Sequence, residues 1–107
     1  MSDLTIPNEI LRQLGGRKFV AMTGARQFVG SERSLSFRLP GNITRHRING
    51  VRITLDADDT YTVIFFNIHG TKLKEISTHD GIYCDGLTDH FRDATGLETR
   101  MPTIHFR

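Results

Sequence analysis

Along "RSLSFRL" (Arg33–Leu39) apolar and polar positions alternate, with Leu35, Phe37 and Leu39 on one side and Ser34, Ser36 and Arg38 on the other. A period of two predicts a strand with one buried and one wet face. The pattern returns in Gly50–Leu55, where Val51, Ile53 and Leu55 point in and Arg52 and Thr54 point out. Thr60–Ile68 ("TYTVIFFNI") is apolar on both faces from Val63 to Phe66, which predicts a central strand or one covered on both sides. Lys72–Ser77 reads as a last strand, with Leu73 and one or both of Glu75 and Ile76 near the core edge. "RKFVAMT" (Arg17–Thr23) reads as a further strand that Gly24-Ala25 breaks. Pro40-Gly41-Asn42, Asp56–Asp59 and His69-Gly70-Thr71 carry turn chemistry.

Two segments follow the helical period instead. Ile6, Ile10, Leu11 and Leu14 share a face over Thr5–Leu14, with Thr5 as cap, Pro7 in the first turn and Gly15-Gly16 as the stop. A second helix is expected over about Ile82–Thr95, capped by Thr78 or Asp80. Its apolar stripe is Tyr83, Leu87, Phe91 and Ala94, Gly86 lies inside it, and Gly96 ends it. Short polar turns between consecutive strands imply an antiparallel meander. The expectation is therefore one α+β domain over residues 1–107. It is a sheet of about five strands with an N-terminal and a C-terminal helix packed on one face, the other face staying wet. The tail, residues 98–107, is read as flexible or as an edge strand.

Composition narrows the function classes. The single cysteine, Cys84, excludes an intrachain disulfide framework, and no run of ~18 apolar residues suggests a membrane span. "MSDLTIPNEI" has no apolar h-region, so a reducing, cytosolic setting is expected. The net charge of +2 hides an uneven distribution. Residues 1–55 carry nine basic and three acidic side chains, residues 56–107 five basic and nine acidic, and eleven of the fourteen basic residues are arginine. Arginine offers a planar fork that fits phosphate or carboxylate.

The basic residues that gather are Arg38, Arg45, His46, Arg47 and Arg52. Alternation puts Arg38 and Arg52 on the same wet sheet face if their strands pair. The others lie in the connecting loop. Together they are candidate phosphate contacts; solvation of the sheet explains the same residues without a ligand. Exposed stacking aromatics, which would favour nucleic acid, are not evident on the wet strand faces; the one candidate is Phe28, in the loop after Gly24. "MTGARQFVGS" (Met22–Ser31) lacks phosphate-loop and dinucleotide spacing and reads as a turn or bulge, with Thr23, Gly24 and Arg26 as a secondary anion site. Asp85, Asp89 and Asp93 fall at i, i+4, i+8 on the second helix, a candidate patch for a basic partner or a solvated face. Asp56, Asp58 and Asp59 lack the rest of a calcium loop. His79, Asp80, Cys84 and His90 lack metal-site spacing. No catalytic residue, metal or cofactor is assigned.

Three segments, "LGGRKFVAMTGARQFVGSERSLSFRLP" (Leu14–Pro40), "INGVRITLDADDTYTVIFF" (Ile48–Phe66) and "HDGIYCDGLTDHFRDATGL" (His79–Leu97), resemble a family of small bacteriophage, prophage and plasmid-borne proteins of unassigned function. The similarity rests on run-on sequence and on "MTGA" and "ATGL", and it implies a mobile-element origin without a biochemical role. The tail after Leu97 is longer than is usual in that group. Three readings stay open. The first is a non-enzymatic accessory protein binding DNA or RNA through its arginines. The second is a protein–protein effector, such as an inhibitor of a host defence or replication factor. The third is a homodimer that holds a nucleotide or other phosphorylated ligand.

Overall fold

In the computed structural model, which describes residues 4–97, five antiparallel strands pair in chain order into one open sheet. They are β1 (Arg26–Gly30), β2 (Ser34–Arg38), β3 (Gly50–Leu55), β4 (Tyr61–His69) and β5 (Lys72–Ile82). Helices α1 (Thr5–Leu14), α2 (Arg17–Thr23) and α3 (Leu87–Thr95) supply the other half of the core. The expected α+β meander is therefore the observed architecture. Among the described residues no helix is long and apolar enough to cross a membrane. The tail read as flexible or as an edge strand lies outside the described residues.

Register builds the core. Leu35, Ile53 and Val63 stand opposite one another across β2, β3 and β4, as do Phe37, Val51 and Phe65. Onto these rows pack Ile10 and Leu14 from α1, Phe19 from α2, and Leu87 and Phe91 from α3, all buried. Phe19 meets Phe37 at 5.5 Å and Phe91 at 5.0 Å between ring centroids, both edge-on. That geometry suits the ring quadrupoles and adds to the area buried.

Four expectations need correction. Arg17–Thr23 is helical, not a strand: Phe19 and Thr23, four apart, are the buried pair, and glycines flank both ends. Gly16 takes φ 61°, ψ −130°, a conformation essentially confined to glycine, and this turns the chain from α1 into α2. Second, Arg26–Gly30, in the segment Met22–Ser31 read as a turn or bulge, does carry a bulge, but it lies within an edge strand. The register shifts between Arg26 and Val29, where Gln27 has φ 56°. Third, the last strand runs on to Ile82. The helix then starts at Leu87 after a 3-10 turn at Cys84–Gly86, with Gly86 at its N-cap rather than inside it. Thr78 and Asp80 consequently lie in β5, and Tyr83 is 69% exposed rather than part of the apolar stripe. Fourth, Leu4 rather than Thr5 stands at the cap of α1.

"MTGA" and "ATGL" prove to be the same device used twice. Thr23 Oγ1 donates to the Phe19 carbonyl at 2.7 Å and accepts from the Ala25 N–H at 3.2 Å. Thr95 Oγ1 donates to the Phe91 carbonyl at 2.8 Å and accepts from the Leu97 N–H at 3.2 Å. Between each pair a glycine, Gly24 at φ 74° and Gly96 at φ 78°, takes the left-handed conformation that ends a helix. Both threonines are buried, so each hydroxyl satisfies a backbone N–H that has left water. Thr95→Val should lower stability by about 1–3 kcal/mol because it strands that N–H. Thr95→Ser should stay near the parent. Urea denaturation of the two variants checks this, and equal losses would contradict the assigned role.

Candidate anion-binding face of the sheet

Residues directly opposite in an antiparallel pair share a face of the sheet. One row on the face away from the helices therefore reads Arg26, Arg38, Gly50, Phe66 and Glu75 across the five strands. The next reads Val29, Ser36, Arg52, Ile64 and Thr78. Arg26 stands directly opposite Arg38, and Arg52 lies on the diagonal from Arg38, a separation of ~7–8 Å. Arg38 and Arg52 thus share the open face as alternation predicts, and Arg26 joins them.

Among the described residues none neutralises these arginines. The ion pairs among the described residues are Glu9–Arg12 and Asp89–Arg92, each within one helix. The Arg12 guanidinium, with Gln13, holds the Glu9 carboxyl below its ordinary range. Arg38 is half-buried and donates through Nε to the Asn49 carbonyl at 3.2 Å, which fixes its lean and leaves its terminal nitrogens available. Arg26 and Arg52 are exposed and have no partner among the described residues. Like charges placed directly opposite weaken a sheet, so this arrangement opposes folding unless an anion sits on it.

Beside the arginines lies a depression of about 620 Å³. Val29, Phe66, Ile68 and Leu73 line it with Arg38 and Arg52, and Gly50 forms part of its floor. Its apolar character comes from β4. Tyr61, Val63 and Phe65 of that strand enter the core, which leaves Ile64, Phe66 and Ile68 half-buried on the face that no described helix covers. The strand is interior, as its two-sided apolar run predicts, but among the described residues it is covered on one side only. Leu73, expected near the core edge, is 60% exposed on this face opposite Ile68. At Gly50 a side chain would strike Ile68 Cδ1 at 2.9 Å, so glycine there lets Ile68 lean across the row.

The loop between β2 and β3 lies against Ile68, which forms one edge of this depression. Asn49 Nδ2 donates to the Ile68 carbonyl at 2.8 Å, and its Oδ1 accepts from the Ile68 N–H at 2.7 Å. Asn67 Nδ2 donates to the Arg47 carbonyl at 2.8 Å. The loop is thereby held against the end of β4, with His46 and Arg47 both at φ 54°. These two exposed side chains line a second, polar basin with Asn49, Asn67 and His69, and Ile68 borders both hollows. Arg45 takes another route. Its Nη1 donates to the Asp93 carbonyl at 3.1 Å near the C-terminal end of α3, and its stem packs over Gly96. A cation there complements the negative end of the helix dipole. Arg45→Ala should accordingly lower stability by about 0.3–1 kcal/mol and leave ligand binding by the sheet face unchanged, which thermal unfolding and a binding titration together check.

The remaining candidates separate. Asp85 sits in the 3-10 turn and not on α3, so the acidic stripe reduces to Asp89, paired with Arg92, and Asp93. Thr23 caps α2 and is buried, so it does not join Gly24 and Arg26 in an anion site. Asp56 and Asp58 close the turn between β3 and β4: Thr62 Oγ1 donates to Asp56 at 2.6 Å and Thr60 Oγ1 to Asp58 at 2.6 Å. The Thr60 hydroxyl and N–H hold the Asp58 carboxyl below its ordinary range. Cys84 is exposed, and His79 packs on His90 at 5.6 Å between ring centroids. Phe28, the one candidate for an exposed aromatic, packs on Phe37 at 5.3 Å at the edge of the core. Phe66 is the aromatic of the open face instead, and its signal was the two-sided apolar run of β4. No family model, curated protein or solved structure matches the chain.

Proposed function

We propose that the protein binds nucleic acid through the open face of its sheet, as a non-enzymatic accessory protein of the mobile-element kind that the resemblance implies. Arg26, Arg38 and Arg52 contact the phosphate backbone, and Arg47 with His46 extends the basic border around the loop. The observation that carries this reading is the cluster of three arginines, without an acidic partner among the described residues, on the sheet face that none of the described helices covers. A face that needs only solubility gains nothing from setting Arg26 directly opposite Arg38, a like-charge contact that weakens the pairing.

Fluorescence anisotropy of labelled DNA and RNA over a salt series tests the reading. Three phosphate contacts to a single strand predict a log–log slope of about −2, so binding should weaken roughly fifteenfold between ~50 and ~200 mM salt. Absence of binding at the lowest salt, or affinity indifferent to salt, would contradict it.

A further inference from the structure

Resting on that reading, we infer that the sheet face takes single-stranded nucleic acid, with an unpaired base stacked on Phe66. The described phenylalanines divide sharply. Phe19, Phe37, Phe65 and Phe91 contact one another within the core, and Phe28 joins them through Phe37. Phe66 has no such neighbour among the described aromatics and lines the open depression with Ile68 and Leu73. It stands in the same cross-strand row as Arg26 and Arg38, with only Gly50 between it and Arg38. An apolar ring so close to phosphate-binding arginines matches the two chemistries of a single strand, a flat base joined to an anionic backbone.

Shape points the same way. Strands lie ~4.8 Å apart, so a five-stranded sheet is broader than the ~12 Å major groove of a duplex and cannot enter it face-on. A duplex laid on the face would meet the arginines with its phosphates and leave the apolar depression facing charge. Unpaired bases can instead come down to the sheet. A second copy of this chain is the other occupant an apolar face invites. Face-to-face pairing that overlaps the β1–β3 edges of two copies would bring two sets of Arg26, Arg38 and Arg52 together, and that repulsion disfavours this arrangement.

The test compares a short single-stranded oligonucleotide with the duplex of the same sequence, on the full chain and on Phe66→Leu and Phe66→Trp. The parent should prefer the single strand by at least about tenfold. Phe66→Leu keeps apolar bulk, and circular dichroism checks that it folds. It should lose about tenfold in single-strand affinity with an unchanged salt slope. Phe66→Trp should retain affinity. Because the chain has no tryptophan of its own, the indole introduced by Phe66→Trp is a unique probe, and a stacked base should quench its fluorescence. Salt-dependent binding with equal affinity for both forms, unaffected by Phe66→Leu, would overturn the stacking inference while leaving the basic face intact. No binding of either form would overturn the basic face itself. A concentration-dependent dimer that buries the indole of the Phe66→Trp protein without nucleic acid would overturn the inference in favour of self-association.

Discussion

Replacing Phe91 by alanine should lower stability by about 3–5 kcal/mol, a large part of the ~5–15 kcal/mol that holds a domain of this size together. The ring is 1% exposed and joins α3 to everything beneath it, with centroids 5.0 Å from Phe19, 6.2 Å from Phe37 and 6.5 Å from Phe65. Its loss leaves a cavity bounded by three rigid rings, which cannot collapse as flexible side chains can. The melting temperature should fall by roughly 15–30 °C in thermal unfolding followed by circular dichroism. A fall below about 5 °C would mean that α3 is not clamped to the sheet through this ring.

The second large effect is on binding, and it carries an opposite sign in stability. Changing Arg26, Arg38 and Arg52 together to glutamine should weaken nucleic-acid binding by at least about a hundredfold, since each charged hydrogen bond to phosphate contributes ~1.5–3 kcal/mol. Arg26→Gln alone should leave the fold equally stable or raise its stability by a few tenths of a kcal/mol, because the Arg26–Arg38 repulsion disappears while the Arg38–Asn49 hydrogen bond stays. A loss of binding coupled to a gain in stability is the signature of residues kept for a ligand at the fold's expense. Arginines present only to solvate the sheet predict no loss of binding.

The alternating strands were legible because a wet face and a buried face leave a period of two. Ser34–Arg38 and Gly50–Leu55 sit where that period puts them, and the outward direction of Arg38 and Arg52 follows from it. Arg17–Thr23 misled because seven residues hold too few apolar positions to separate a period of two from one of 3.6. Arg26–Gly30 was hidden by its own bulge: the left-handed Gln27 breaks the alternation that marks a strand. The site divides along the same line. Local pattern placed Arg38 and Arg52, but the meeting of Arg26 with Arg38 is a matter of register, and register is set by pairing. The diversion of Arg45 to the end of α3 depends on a contact forty-eight residues away in the chain, which no local pattern encodes. Phe66 was within reach. A strand apolar on both faces in a sheet with helices on one side must leave half of its apolar residues uncovered.

Heteronuclear NMR during titration with a single-stranded oligonucleotide tests the central claim most directly. Amide shifts should concentrate at Arg38, Arg52, Ile64, Phe66 and Ile68 and spare α1 and α3. Shifts gathered on Asp89 and Asp93 of α3, or none on the open sheet face at low salt, would contradict the account.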